Sequence, residues 1–330
     1  MNRFKSLQVI EQEGRYSMAI VERPMDELPA GEVLIRVHYS SVNYKDALSA
    51  TGNKGVTRRY PHTPGVDAAG VVVESAVGDF QAGDEVLVTG FDLGMNTSGG
   101  FSEYIRVPAA WVLLLPPELS MKDSMSYGTA GFTAGLSVAA LLKSGIIPAS
   151  GSVAVSGATG GVGSIAIAIL KRLGFSVAAI SSKTDAQAFL SRIGADEIIS
   201  RTEMEDSSSK FLLKPRFAAA IDTVGGRVLA TLLKSLHYGG VVTACGMVNG
   251  PEVPTSVFPF ILKGVQLIGV DSVEMPLQPR NSIWKHLATD WKPETLQEQV
   301  KEITLEQVPE AIQTILDGGM QGRVLVRISN

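Results

Sequence analysis

One turn limits the fold of this chain more than any other stretch. In Ser152-Val-Ala-Val-Ser-Gly157-Ala-Thr-Gly160-Gly161-Val-Gly163 an apolar strand runs straight into glycines and then into an apolar helix. Glycine admits positive φ and lets a ligand approach the backbone with no Cβ in the way. The first turn of the helix adds unbonded N–H groups and the positive end of a dipole. A pyrophosphate suits such a turn, provided that a strand precedes it, a helix follows it and a second strand comes next. All three are present, so Thr159, Gly160, Gly161, Val162 and Gly163 are candidate dinucleotide-binding residues.

The surrounding texture agrees. From about Lys122 onward the sequence predicts helices over Met121–Tyr127, Thr129–Lys143, Gly161–Leu173, Asp185–Ile193 and Gly225–Leu236. Strands are predicted over Ser152–Ser156, Ser176–Ser181, Glu197–Ile199, Ala218–Asp222, Val241–Ala244 and Gln266–Val270. That alternation predicts a parallel, doubly wound sheet. Thr184 and Gln187 have capping-box spacing, and Gly194 sits where the helix between them should stop. Residues 1 to about 115 are instead β-rich, with runs at Glu32–His38, Gly70–Glu74 and Glu85–Thr89 separated by Gly, Pro and Asp turns, as in a compact barrel-like domain. Helices at Arg280–Thr289 and Leu305–Leu316 and a strand at Arg323–Ile328 close the chain. The fold class is α/β, with domains at 1–121, completed by 271–330, and at 122–270.

The 330 residues suit about two domains. With Cys245 the only cysteine, no disulfide, four-cysteine zinc site or CxxC motif can form within the chain. Twenty-nine basic against 33 acidic residues, net charge -4, give no long-range attraction for nucleic acid. The N-terminus lacks the apolar stretch of a signal peptide, and the weakly polar run Thr129–Leu142 is short for a membrane span. The expectation is a cytoplasmic protein with a small-molecule substrate and neither a membrane nor a nucleic-acid partner.

The end of the second strand of the doubly wound sheet bears on the cofactor. NAD-selective sites usually place Asp or Glu there, bonded to the ribose 2′-hydroxyl. This strand ends in Ser181-Ser182-Lys183, two hydroxyls and an ammonium, which suit a 2′-phosphate. NADPH is the expected cofactor; a solvated loop with an incidental lysine is the alternative.

Further motifs carry a family resemblance. Asn43-Tyr44-Lys45-Asp46, the segment Pro64–Gly70, the helix start Gly128–Ala134 and Gly160-Gly161-Val162-Gly163 resemble the zinc-free medium-chain dehydrogenase/reductases. Ala220–Gly226, Val257–Leu262, Gly269–Val273 and Gln321-Gly322-Arg323 look like their quinone oxidoreductase group, which includes bacterial acrylyl-CoA reductase. The resemblance implies a GroES-like domain, a Rossmann domain inserted into it, NADPH in the cleft and a homodimer. It further implies that Tyr44 lies beside the nicotinamide, with Asn43 and Asp46 accompanying it as catalytic candidates. Thr129, Thr133, Arg201 and Arg323 would contact the cofactor, while Met247, Ile261 and Ser272 would line its nicotinamide half. Gly318 departs from an asparagine that some relatives have.

Each candidate has a plainer explanation. Tyr44 could pack or position the cofactor without moving a proton, Asn43 and Asp46 could cap a turn, and Asp67 could be buried and bonded to backbone. Zinc-dependent relatives carry His-Glu where this chain has Val66-Asp67, and His38, His62, His237 and His286 are each unaccompanied, so no metal is expected. Reduction of an activated C=C bond needs positioning and donors for a developing negative charge, without a Lewis acid. Coenzyme A phosphates would need cations, for which Lys54, Arg58, Arg59, Arg280 and Arg323 are available. Three functions stay open: a short enoyl-CoA (acrylyl-CoA) reductase, a quinone or general enone reductase, and a non-enzymatic NADPH-binding structural or sensing protein.

Overall fold

The computed structural model describes residues 3–329. In chain order its elements begin with β1 (Arg3–Gln12), β2 (Arg15–Pro24), β3 (Val33–Val42), α1 (Tyr44–Ala50), β4 (Asp67–Ser75), β5 (Glu85–Thr89), β6 (Tyr104–Val107), β7 (Leu113–Leu114) and α2 (Met121–Lys143). Next come β8 (Val153–Ser156), α3 (Gly161–Arg172), β9 (Val177–Ser181), α4 (Gln187–Arg192), β10 (Glu197–Ser200), β11 (Phe217–Asp222), α5 (Gly226–Ser235), β12 (Leu236–Ala244), α6 (Phe258–Lys263) and β13 (Gln266–Gly269). The chain ends with α7 (Leu277–Ala288), β14 (Val300–Thr304), α8 (Val308–Leu316) and β15 (Arg323–Arg327).

Two compact units result. One comprises Met1–Thr129, Val273–Ala288 and Val300–Asn330; the other comprises Ala130–Ser272 and Thr289–Gln299. The sequence puts the first boundary at the start of α2, whereas the structure puts it beside Gly128, whose φ of 52° and ψ of −157° interrupt the helix. The stretch Thr289–Gln299 lies with the second unit, a local return that hydrophobic pattern does not mark.

In the first unit a seven-stranded sheet runs β14-β15-β3-β4-β5-β7, with β6 also on β3, and β1 and β2 form a separate hairpin. Its strands are rich in Val and Ile, β-branched residues that suit a pleated surface. Val33, Ile35, Val37, Val72, Val86 and Val88 fill one core and Leu7, Val9, Phe101, Val324 and Val326 another. The last strand, β15, pairs antiparallel with β3, Val324 opposite Val42.

The second unit holds a six-stranded sheet in the order β10-β9-β8-β11-β12-β13, parallel throughout. Counted from its own first strand this is 3-2-1-4-5-6, the doubly wound order expected, with the reversal between β8 and β11. Strands β8, β9 and β11 are buried along their whole length, because a parallel sheet is covered on both faces. The capping box predicted at Thr184 does not form: a short turn of 3-10 helix spans Thr184–Ala186, and α4 starts only at Gln187, without a side-chain cap. Gly194 takes a positive φ of 113°, as its position after α4 suggests. Helix α2 is long and apolar enough to cross a membrane, but 78% of its apolar window is buried inside the protein.

Candidate active site

Strand β8 ends at Ser156, and the chain turns through Gly157 at φ 58° into α3. The Gly160 N–H donates to the Gly157 carbonyl at 2.9 Å, and the first α3 bond runs from Ser164 N–H to the Gly160 carbonyl at 2.9 Å. The N–H groups of Gly161, Val162 and Gly163 precede it and lack partners within the helix. A Cβ on Gly163 would press on the Gly157 carbonyl oxygen and come within 2.9 Å of Ala158 Cα, so glycine is what lets helix and turn close up here. The resulting cradle is bare backbone at the start of a twelve-residue helix, a fit for a pyrophosphate.

Across the strand reversal, Asp222 closes β11. Its Oδ1 accepts from Ser156 Oγ at 2.7 Å and its Oδ2 from Gly225 N–H at 2.8 Å. Thr223 donates its N–H to Ser156 Oγ and its hydroxyl to the Ser156 carbonyl, both at 2.9 Å. These bonds tie together the two strand ends that flank the glycine turn. Burial pushes the Asp222 carboxyl above the usual carboxylate range.

Strand β9 ends beside β10, with Ser181 in register with Ser200, so Arg201 emerges at the same end of the sheet as Ser182 and Lys183. Ser181 is buried and its hydroxyl accepts from Lys183 N–H at 3.0 Å; Ser182 is exposed. Partial burial lowers the Lys183 ammonium pKa, and Asp185 opposes the shift. Arg201 Nε lies 3.1 Å from Glu205 Oε1. Met247 and Ile261 are 70% and 68% exposed, whereas Thr133, Thr159 and Ser272 are buried.

In the first unit, α1 starts at Tyr44, which is 47% exposed and whose hydroxyl makes no hydrogen bond among the described residues. Asn43 and Asp46, in the same motif, are engaged. Asp46 accepts from the N–H groups of Asn43 at 2.7 Å, Gly65 at 3.1 Å and Val66 at 3.0 Å. Burial first, and then the nearby Asp67, push its carboxyl up to about 7 against those donors. Asp67 accepts from Ser41 Oγ at 2.6 Å, Asn43 Nδ2 at 2.7 Å, Thr129 N–H at 2.9 Å and Thr129 Oγ1 at 2.5 Å. Arg323 donates to Ser41 Oγ at 2.7 Å and, at 3.2 Å, to Asn43 Oδ1 and the carbonyls of Val42 and Ser126.

Three expectations change as a result. Asp46 is wholly buried and both its oxygens are bonded to backbone, so it anchors α1 and is not in reach of a substrate. Arg323 is 3% exposed and its guanidinium is occupied inside the first unit, which removes it as a cofactor contact. Arg280 is buried too, donating to the carbonyls of Met275, Val273 and Thr89 beneath the Phe91 ring, so neither arginine is a surface cation for coenzyme A. Of the remaining basic residues, Lys54 pairs with Glu11 at 3.0 Å, while Arg58 and Arg59 are exposed. The expectation that Asp67 is buried agrees with the structure, but apart from the Thr129 N–H its partners are side chains, those of Ser41, Asn43 and Thr129, with the Arg323 guanidinium 4.0 Å away, and the sequence did not indicate that these groups meet.

Two family models match the chain: "Alcohol dehydrogenase GroES-like domain" over residues 29–117 and "Zinc-binding dehydrogenase" over residues 161–288. The residues present do not fit the zinc of the second description. Asp67 is bonded throughout as above, and among the described residues no group of three or more His, Cys, Asp or Glu could hold a metal ion. A Bacillus subtilis (strain 168) protein named "Putative quinone oxidoreductase YhfP" is 44% identical, covering 98% of this chain and 99% of its own. Its crystal structure with NAD bound has a TM-score of 0.96 and covers 99% of this chain and 100% of its own. "Acrylyl-CoA reductase AcuI" of Ruegeria pomeroyi is 40% identical over 97% of both chains. The yhdH oxidoreductase of Salmonella enterica, crystallised with NADP, is 45% identical with a TM-score of 0.96, covering 98% of this chain and 100% of its own.

Proposed function

The chain belongs to the medium-chain dehydrogenase/reductases, oxidoreductases with a GroES-like and a Rossmann domain, and from that premise we propose that it reduces the C=C bond of acrylyl-CoA or a related short enoyl-CoA with NADPH. The observation that carries the cofactor is the shared end of β9 and β10, where Ser181, Ser182, Lys183 and Arg201 gather with no carboxylate on the strand end itself. The thioester reading is supported by the relative named for that activity.

When bound, the cofactor supplies a hydride for the β-carbon; the other tasks fall to side chains and backbone. The N–H groups opening α3 hold the pyrophosphate, and Ser182, Lys183 and Arg201 hold the 2′-phosphate through charge-assisted bonds. Tyr44, with its free hydroxyl, supplies the proton to the α-carbon. The remote phosphates of coenzyme A lend binding energy that orients the C=C bond.

A quinone or general enone reductase is the second reading, and the burial of Arg280 and Arg323 favours it by thinning the supply of phosphate-binding cations. NADPH consumption with acryloyl-CoA, 1,4-benzoquinone and a simple enone separates the two. We expect kcat/KM for acryloyl-CoA at least ~10³-fold above that for the enone, about 4 kcal/mol of transition-state binding. Added salt should erode the preference, since exposed cation–phosphate attraction is screened. Equal efficiency without salt dependence would leave the second reading.

A further inference from the structure

Arg201 is not free to receive a phosphate unopposed. Its guanidinium is paired with Glu205, four residues on, and Glu205 is itself held by a second contact, from Asn249 Nδ2 to the same Oε1 at 3.4 Å. Asn249, in the loop after β12, packs against the turn after β11: its N–H donates to the Val224 carbonyl at 2.7 Å, and its own carbonyl oxygen fills the space where a side chain on Gly226 would stand. The carboxylate is therefore fixed from the far side while the arginine, 43% exposed, is the looser partner.

From this arrangement we propose that Glu205 is a specificity-determining residue, whose carboxylate competes with the cofactor's 2′-phosphate for Arg201 and holds down the preference for NADPH over NADH. The inference rests on the reading of Arg201 as a 2′-phosphate contact. Two effects of Glu205 oppose each other, and their sizes decide the sign. As an anchor, it could pre-order Arg201 and help binding. The Nε–H, though buried, is not aligned on the carboxylate for a hydrogen bond, and an ion pair that lacks one and whose arginine is 43% exposed contributes little. As a fixed negative charge beside the site of a phosphate carrying nearly two, it repels the ligand directly and draws charge from the arginine that should meet it. Repulsion outweighs anchoring.

Titration calorimetry with NADPH and NADH on wild type and Glu205→Gln tests this. Glutamine keeps the length and an oxygen for Asn249, and removes the charge while exchanging the second oxygen for an amide NH2. Expected is NADPH binding about 3- to 10-fold tighter in the variant, NADH within about 2-fold of wild type, and a gain that shrinks as salt rises. Glu205→Ala, which also frees Arg201, should shift NADPH in the same direction, and 2′-AMP should report the gain without any nicotinamide. Unchanged or weaker NADPH binding in Glu205→Gln, with wild type still preferring NADPH, overturns the competition while sparing the reading of the phosphate site. Equal wild-type affinities for NADPH and NADH overturn both.

Discussion

Tyr44 carries a hydroxyl with no hydrogen bond among the described residues at the head of α1, while Asn43 and Asp46 near it are held by several. A phenol so placed is open to a bound substrate and is not committed to a protein partner. Tyr44→Phe should therefore lower kcat by roughly 10²-fold, within the range of general acid catalysis, with cofactor affinity preserved. If steady-state kinetics show kcat unchanged and only the NADPH dissociation constant moved, the residue positions the cofactor instead. At this scale the sequence was half legible. Short polar side chains at Asn43 and Asp46 announced a cap, and Asp46 does reach back to the Asn43 N–H. What made Asp46 and Arg323 structural could not be read, because burial is decided by partners 19 to 282 residues away.

Among the elements, the glycine turn and its strands were the most legible. Buried parallel strands are short apolar runs dominated by Val, Ile and Ala, and the helix after the first of them begins within the glycine run, at Gly161. Gly163→Ala puts this to the test, since its Cβ would press on backbone atoms of Gly157 and Ala158 that have no side chain to swing aside. The turn must open, so affinity for NADPH and NADH should fall together by about tenfold or more, around 1.4 kcal/mol. Affinities left intact would mean that the pyrophosphate does not lie on this turn. The β1–β2 hairpin and α1 were not legible. The hairpin strands carry mixed polar residues over ten positions each, and α1 is only seven residues long, too short for a helical period to declare itself.

For the whole molecule, stability should depend on pH through Asp46. Unfolded, its carboxyl releases a proton near pH 4; folded, burial and Asp67 hold the proton up to about 7. Between those values the folded state binds more protons than the unfolded state, so this group's contribution declines as pH rises and levels off above 7. Wild type should thus gain stability relative to Asp46→Asn when urea melts are moved from pH 7.5 to pH 5; a gap independent of pH would place the folded carboxyl near its ordinary value. The pairing of β15 with β3 bears on how such a chain is made. Arg323, which bonds Ser41, is 282 residues downstream of it, so at about 5–20 residues per second a ribosome delivers it roughly 15 s to 1 min later. For that interval the Tyr39–Val42 end of β3 lacks a partner on one edge, β6 covering only Val33–Arg36 of it, whereas the contiguous strands β8 to β13 have every neighbour they need once Gly269 is made. The segment inserted in the middle of the gene can finish folding first, and the beginning of the protein must wait for its end.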